Sequence, residues 1–542
     1  MNSKQQILLN KIEYLFKFFY VVGILVVLAV LSEVGKNYII SSFMVFMLIY
    51  LFGGLCLPQG FANVVKARFQ KQQFKNAKAV FQGTLIYIFI LEMILIVSAS
   101  LFVNRLSEFL HVDKALPHGI GLFIPLLLLV PVNEVFRVYY QCYNRRLTIV
   151  ISRALGFLTA LIVGICIYNP LRTYGMKVDS LLKSDCMTDI YASLTIPIAI
   201  LASQAMVLLY LAWMYLVYKP YIRKQTVNDF TRYKESLKDV FGLIARAHTE
   251  ANIHKISIYL LIFMAFIFCS FYTRQGIAAT KTNTSFGILA IVMCVTILVP
   301  YFITKAFTLK YVLRYRKMLK NEDMRSVRSY LWGRTHKYFI ITFALAVFFI
   351  VMSESVIFIM TGTVAPQYVL HMQILSISIV LVPLYGLYHM FLTNIGKTKS
   401  LVIINYSALF VSGVIMTILY NVHAIGGYGI SVGVVCYFLI AFLCEYFVLQ
   451  RESGFGRNIM QLLVLPLLCA FIMGIIALLL INVIGISEFR VAQFFIVLGL
   501  LVLCIFIYMI LLLVLRCVDE DELNGGFWGK IIYKLGEILH VY

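Results

Sequence analysis

Charged residues are scarce in this chain. Asp, Glu, Lys and Arg make up only 13% of the 542 residues, where about a quarter is usual, and 62% of the residues are hydrophobic. So small a polar fraction cannot cover the surface of a water-soluble globule of this length. The composition therefore excludes a soluble enzyme.

Long hydrophobic runs dominate the rest of the chain. A hydrocarbon core of about 30 Å needs about twenty apolar helical residues per crossing, and transmembrane β-strands would instead be short and alternate in polarity. The sequence predicts an all-α polytopic membrane protein of 14 transmembrane helices. The predicted spans are 15–33, 38–57, 80–103, 118–141, 147–168, 191–218, 254–273, 285–306, 338–360, 368–392, 400–420, 427–449, 459–484 and 491–515.

Acidic residues are few: 24 Asp and Glu stand against 46 Lys and Arg, a net charge of +22. In a soluble protein this excess would suggest a nucleic-acid partner. With the N-terminus placed in the cytoplasm, however, 34 basic residues fall in predicted inside segments and 9 in outside segments. This is the positive-inside pattern, so we expect both termini to be cytoplasmic, membrane lipid as a partner, and no nucleic acid.

Motifs for metal, disulfide and nucleotide chemistry are missing. The eleven cysteines include no C-x-x-C pair, which excludes a zinc site and a disulfide framework. No P-loop pattern is present, and the longest polar stretches, such as 219–250, are too short for a nucleotide-binding domain. We therefore expect no cofactor and no ATP-driven pump.

The two halves of the chain share landmarks. Pro58 and Pro300 each lie near the cytoplasmic end of a span that leads into a long basic stretch, at an offset of 242 residues. Pro131 and Pro383 each precede a tight basic turn, at an offset of 252. Such repeats are common in membrane transporters. The predicted domains are a six-helix lobe at 1–218, a basic linker at 219–250, a second six-helix lobe at 251–450, helices 13 and 14 at 451–516, and a cytoplasmic tail at 517–542.

This plan resembles the multidrug/oligosaccharidyl-lipid/polysaccharide (MOP) exporter superfamily, within it the Gram-positive polysaccharide-biosynthesis transporters and lipid II flippases. The resemblance rests on LPQGFANVVKARFQKQQFKNAKAVFQG after span two, NEVFRVYYQCYNRRLTIVISRAL, LTNIGKTKSLVIIN and AIGGYGISVGVVCYFLIA. One departure is that lipid II flippases carry basic residues in the first helix, whereas Tyr20 to Leu31 has none and Lys17 is the nearest.

The resemblance implies a monomeric transporter, not an enzyme, in the bacterial cytoplasmic membrane. It would move a lipid-linked oligosaccharide on undecaprenyl diphosphate by alternating access, for cell-envelope or polysaccharide assembly, with H⁺ or Na⁺ as a coupling partner. The sequence does not name the glycan, the ion or the direction of transport.

Cargo-binding candidates are the cations near the spans. A diphosphate requires fixed cations, and Arg binds phosphate at two points. Arg137 follows Glu134 by three residues, so the two share a helix face and form either a local ion pair or a cavity-facing pair. Arg153 and Lys255 near the starts of spans five and seven, and Lys305 at the end of span eight, either snorkel to the interface or contact cargo.

Ion-coupling candidates are acids within spans, where an ionised group costs ~3 kcal/mol or more without water or a partner. Glu92, in span three, has no basic residue within helical reach, and Glu354 lies between Ser353 and Ser355 in span nine. Either residue could exchange a coupling ion or simply form a structural hydrogen bond. His371 and His389 could titrate but are more often only hydrogen-bonded.

Two other functions remain open at this point. A MATE-like exporter of cationic drugs would need acidic residues in its spans, whereas the balance here is mixed. A membrane glycosyltransferase or polysaccharide polymerase would need catalytic carboxylates outside. The predicted outside acids are scattered, at Glu108, Asp113, Asp179, Asp185, Asp189 and Glu488.

Overall fold

The structure, a computed structural model, describes most of the chain. The described residues are 3–109, 116–183, 185–229, 231, 233–253, 255–274, 285–301, 324–422, 425–454, 460–515 and 517, with 315, 318 and 319. Within them every regular element is helical, and two short π-helical segments occur, at Cys294–Leu298 and Met460–Val464. The expected all-α fold is confirmed.

Nineteen α-helices are numbered here along the described chain. The first ten are α1 (Ser3–Val30), α2 (Glu33–Phe52), α3 (Leu57–Gln70), α4 (Phe74–Phe109), α5 (Leu116–Cys142), α6 (Arg146–Leu182), α7 (Met187–Ser193), α8 (Thr195–Val227), α9 (Leu237–Ile253) and α10 (Ile256–Arg274). The others are α11 (Phe286–Met293), α12 (Met324–Val351), α13 (Ser353–Thr361), α14 (Pro366–Ser376), α15 (Ser378–Ile395), α16 (Thr398–Tyr420), α17 (Tyr428–Ser453), α18 (Leu465–Ile484) and α19 (Arg490–Val514).

The number of membrane spans is close to the predicted fourteen. Among the described residues, 12 helices are long and apolar enough to cross a membrane. A thirteenth span is present if Leu237–Ile253 and Ile256–Ser270, which meet at 55°, are counted together. The predicted eighth span corresponds to a shorter apolar helix, Phe286–Tyr301, and the residues after it lie outside the described part of the chain.

The chain forms two compact units. The first comprises 1–277 and 285–288, and the second begins at Leu289. Helices α9 and α10 therefore belong to the first unit, although the sequence placed a linker at 219–250 and a second lobe from 251. The proposed six-helix repeat stays a prediction about the relation between the halves.

The second span is broken between α2 and α3. The break contains Gly53 and Gly54, and Pro58 stands in the first turn of α3, where its missing N–H costs nothing. A Cβ atom on Gly53 would lie 2.8 Å from both carboxyl oxygens of Glu92, and one on Gly54 would lie 2.7 Å from Pro131. Glycine is needed here because α4 and α5 approach the backbone closely.

Two helical hairpins have the same backbone geometry at equivalent positions. The turn between α5 and α6 has Asn144 at φ 57°, and the turn between α15 and α16 has Gly396 at φ 87°. The next residues, Arg145 (φ −90°, ψ 53°) and Lys397 (φ −82°, ψ 41°), precede the first residues of α6 and α16. Each position in the second hairpin is 252 residues after its counterpart.

The segment after α8 is fastened to the first unit. We call residues 228–236 the strap. Its Asp229 accepts from the backbone N–H of Lys75 (2.7 Å), and its Glu235 accepts from Arg68 Nε and Nη2 (3.0 and 2.6 Å). The following α9 packs so tightly on α3 that a Cβ on Gly60 would lie 2.8 Å from its backbone. The described residues of the predicted linker at 219–250 therefore pack within the first unit.

Candidate functional site

Five charged side chains meet near one end of the first unit. They come from three helices that are adjacent in space, α1, α5 and α6, and we call them the charged cluster. Its members are Glu13, Lys17, Glu134, Arg137 and Arg153. Three cations against two carboxylates leave a formal charge of +1.

Glu134 is the centre of the charged cluster. Its Oε1 accepts from Arg137 Nη1 at 2.6 Å and from Arg153 Nη1 at 2.8 Å, and its Oε2 accepts from Arg153 Nη2 at 2.9 Å. The Arg137 Nε–H donates to Ser152 Oγ at 3.0 Å. The predicted pairing of Glu134 with Arg137 is therefore present, and Arg153 joins it.

A second pair extends the charged cluster onto α1. Lys17 Nζ lies 2.7 Å from Glu13 Oε1, one helical turn away, and Arg153 Nε lies 3.7 Å from the same oxygen. Lys17 also lies over the ring of Tyr14, 4.8 Å from its centroid. Arg153 thus bridges the two carboxylates rather than extending towards the interface.

The hairpin between α5 and α6 explains how these residues meet. Asn144 adopts the left-handed conformation that reverses the chain. Arg137 precedes this turn by about two helical turns and Ser152 follows it by about the same distance, so they lie side by side. The whole charged cluster lies within about four helical turns of the ends of α1, α5 and α6 on the side predicted to be cytoplasmic.

Exposure differs among the three cations. The Arg137 side chain is 5% exposed, whereas Arg153 is 18% and Lys17 is 26% exposed, and Glu134 is 30% exposed. Arg137 is therefore more deeply buried than Glu134, its carboxylate partner. In this conformation Arg153 and Lys17 are the cations that a phosphate can approach.

Glu92 is buried at the break between α2 and α3. It is 0% exposed. Neither carboxyl oxygen has a hydrogen bond of normal geometry among the described residues, although the Gly54 backbone lies beside it. The sequence correctly showed that Glu92 lacks an intrahelical partner, and the structure adds that no cation from another described helix pairs with it.

The other predicted site residues do not join these groups. Glu354 is exposed at the start of α13, between buried Ser353 and Ser355. Lys255 is half-buried at the bend between α9 and α10. Lys305 lies outside the described residues.

The second unit contains a buried acid–histidine pair that the sequence did not predict as a pair. His389 Nδ1 on α15 lies 2.9 Å from Glu445 Oε1 on α17. His371, by contrast, lies 2.7 Å from Ser431 Oγ and against the ring of Tyr428, as expected of a hydrogen-bonded histidine in a helical bundle.

The sequence reasoning also missed the contribution of Glu13 and Lys17. Their i, i+4 spacing is a standard signal for a helical ion pair, but the first span was expected to begin at residue 15. The structure begins α1 at Ser3 and the apolar span at Leu8. The first helix therefore contributes a basic residue, Lys17, to the charged cluster.

Comparisons with known proteins identify the fold. No protein-family model matches the chain, and no curated protein matches its sequence. Among solved structures, the inward closed conformation of the lipid II flippase MurJ is similar over 92% of this chain and 96% of that chain, with a TM-score of 0.58 and 14% identity. The inward-facing conformation of a multidrug resistance MATE family transporter of the MOP superfamily is similar over 82% and 94%, with a TM-score of 0.57 and 15% identity.

An outward-facing structure of a MATE family transporter is similar to nearly the same degree, with a TM-score of 0.54 over 83% of this chain. Identities this low show a shared fold and leave the substrate open. The neighbours are transporters by description. The chain thus has the fold of the MOP superfamily transporters, in agreement with the resemblance seen in its sequence.

Proposed function

We propose that this protein moves a lipid-linked oligosaccharide across the cytoplasmic membrane and binds the cargo's diphosphate at the charged cluster. The observation that carries the proposal is the net positive charge of Lys17, Arg137 and Arg153 over Glu13 and Glu134 inside the ends of apolar helices. Ionisable groups at such depth are expensive and mark substrate or ion pathways.

Arg153 is the residue best placed to bind the cargo. Its planar guanidinium already holds a carboxylate at two points, and the same fork fits two phosphate oxygens. A phosphate would compete with Glu134 for Arg153, while Arg137 and Ser152 keep Glu134 and its helix in place. Lys17 adds a flexible point charge at the exposed edge.

The depth of the charged cluster suits a lipid diphosphate. Arg153 lies seven residues after the start of α6, about 10 Å along the helix at 1.5 Å per residue. This is near the boundary between head groups and hydrocarbon, where the diphosphate of a lipid carrier resides. The sugar would then extend towards water while the lipid tail stays among the acyl chains.

Glu92 is the proposed ion-coupling residue of the first unit. A buried carboxyl without a cationic partner is most stable with a bound proton or Na⁺. Glu92 packs against Gly53 and Gly54, beside the break in the second span. Gain or loss of the ion would therefore alter the packing between α4 and this break. Glu354, which is exposed, has weaker support for the same role.

The alternative is export of cationic drugs, since MATE transporters share the fold. A net positive cluster disfavours a cationic substrate, and the buried acids Glu92 and Glu445 are both 0% exposed. The same helical fold and the absence of a separate soluble domain in the described chain argue against a glycosyltransferase.

The test is flipping of a fluorescent undecaprenyl-diphosphate oligosaccharide in proteoliposomes. Arg153→Ala and Arg137→Ala should each reduce the rate about tenfold or more, which corresponds to loss of a charge-assisted hydrogen bond. Lys11→Ala is the matched control, because Lys11 is an exposed residue of the same helix as Lys17 and outside the charged cluster.

A cationic dye in the same vesicles separates the two functions. Transport of the dye without flipping of the lipid-linked sugar would establish the drug-export alternative. Flipping that Arg153→Ala and Arg137→Ala leave unchanged would overturn the assignment of the charged cluster.

A further inference from the structure

The repeated hairpins align the charged cluster with a different set of residues in the second unit. The interval of 252 residues holds for Asn144 and Gly396 and for the first residues of α6 and α16. The same interval leads from Arg137 to His389 and from Arg153 to Asn405. The second unit thus has a titratable imidazole and a neutral amide where the first has two permanent cations.

His389 is paired with a deeply buried acid. Its Nδ1 lies 2.9 Å from Oε1 of Glu445, which is 0% exposed, and the His389 side chain is 26% exposed. The other oxygen of Glu445, Oε2, has no hydrogen-bond partner among the described residues. An ionised carboxylate with a single neutral partner at such a site carries a large desolvation cost.

Neutral and basic polar groups lie on the helices around the pair. On α15, the Tyr385 ring lies 5.5 Å from the His389 ring, and its hydroxyl donates to Asn405 Oδ1 on α16 at 3.2 Å. Other titratable groups on the helices packed around α15 include Tyr301 after α11, Tyr330, Arg334, His336, Lys337 and Tyr338 on α12, His371 on α14, Tyr406 on α16, and Cys436, Tyr437, Cys444 and Tyr446 on α17.

The nearest ion pair on α17 does not neutralise Glu445. Lys397 Nζ lies 2.9 Å from Glu452 Oε1, two helical turns further along the helix. Within the described chain, no Lys or Arg forms an ion pair with Glu445. A proton gained by either His389 or Glu445 consequently changes the charge of this position.

We infer that His389 and Glu445 form a proton-binding site in the second unit. Without a bound proton the pair carries −1, and with one proton shared across the Nδ1–Oε1 contact it is neutral overall. The proton comes from water at the exposed edge of His389, and no other bond forms or breaks. Uptake of the proton either neutralises Glu445 or gives it a positively charged imidazole as a partner. The resulting charge-assisted hydrogen bond strengthens the contact between α15 and α17.

The choice of histidine distinguishes this site from a structural ion pair. Arg at the equivalent position of the first unit keeps its charge at every physiological pH, whereas the charge on histidine changes between about pH 5 and about pH 8. The charged cluster of the first unit therefore keeps its positive charge, whereas the His389–Glu445 pair changes its charge when it takes up a proton.

Infrared difference spectra of the purified protein in lipid nanodiscs, between about pH 5 and about pH 8, test the site directly. The parent should show carboxyl and imidazole bands that Glu445→Gln and His389→Gln each remove or shift. Glu452→Gln is the matched control and should leave those bands in place. Spectra of Glu445→Gln and His389→Gln that match the parent's would overturn the inference.

Isotope labelling of histidine tests the site in the protein without substitutions, so the result does not depend on whether a variant folds. The labelled imidazole signals should include one whose pH response follows a carboxyl band. If no histidine band changes together with a carboxyl band over this range, the inference is wrong. These measurements need no cargo, so they stand or fall separately from the proposed transport of a lipid-linked sugar.

Discussion

Arg153 binds both carboxylate oxygens of Glu134, at 2.8 and 2.9 Å, across the interface between α6 and α5. Since Arg137 donates to the same carboxylate, a single acid holds two guanidinium groups together. Without the Glu134 carboxylate, the two positively charged guanidinium groups would repel each other. The charged cluster therefore depends on Glu134 for its integrity.

Glu134→Gln should lower the thermal stability of the protein. The amide keeps the size of the side chain but leaves both guanidinium groups without their counter-ion. We expect a loss below the roughly 3–5 kcal/mol of a fully buried pair, because Glu134 is partly exposed. The melting temperature in detergent, followed by size-exclusion chromatography after heating, measures it. Glu452→Gln, in an exposed pair, should shift the melting temperature little, and an equal shift in both variants would contradict the central role of Glu134.

Glu92→Gln should abolish the response of transport to an imposed ion gradient. The substitution keeps the shape and hydrogen-bonding capacity of the protonated acid but removes its ionisation. Flipping in proteoliposomes with and without a pH or Na⁺ gradient is the measurement. Glu354→Gln is the comparison, because Glu354 is the exposed acid predicted from the sequence. A gradient response that persists in Glu92→Gln and disappears in Glu354→Gln would move the coupling role to the second unit.

The strap should detach from the first unit at low pH. Hydrogen bonds from Lys75 and Thr231 stabilise the ionised Asp229 carboxyl and lower its pKa below the usual value of 3.8, although burial opposes them. A lowered pKa means that this contribution is fully present above about pH 4 and is lost as the pH falls through the folded-state pKa. The lost contact is the hydrogen bond to Asp229 from the backbone N–H of Lys75, at the start of α4.

A spin label at position 228 measures this release. Its mobility should stay low from neutral pH to about pH 4 and rise below it. In Asp229→Asn the label should already be more mobile at neutral pH and should respond less to acid. Equal mobility in the parent at about pH 3 and about pH 7 would rule out the predicted attachment.

Topology is a fourth prediction. The 34 to 9 distribution of basic residues places the loop around Gln70 in the cytoplasm and the loop around Glu488 outside. In a background without Cys186, a cysteine at 488 should react with an impermeant thiol reagent added to whole cells, and one at 70 should not. Labelling at position 70 from outside would refute the predicted orientation.

Much of the fold follows from local sequence patterns. Apolar runs of about twenty residues located the spans because each helix must satisfy its own backbone in lipid. The Glu134–Arg137 contact could be predicted from the sequence because residues three apart share a helix face. Contacts between distant residues left no such signal: His389 and Glu445 are 56 positions apart, and Arg68 and Glu235 are 167 apart.

Span boundaries were the other source of error. The predicted first span began at residue 15, which left out Glu13, the partner of Lys17. The structure extends α1 to Ser3 because an amphipathic stretch can continue a helix beyond the hydrocarbon when its charges pair with each other and with Arg153. Hydropathy also does not show that α9, which begins within the predicted linker at 219–250, packs on α3.

The position of the strap has a consequence for biosynthesis. Its anchoring partners, Arg68, Lys75 and Asn76, and the helix α9 that follows it all precede residue 256. Once this point of the chain has left the ribosome, the first unit holds every partner it needs to fasten the strap. Synthesis of α10 and of the second unit can then proceed while the strap is already fixed to α3 and α4.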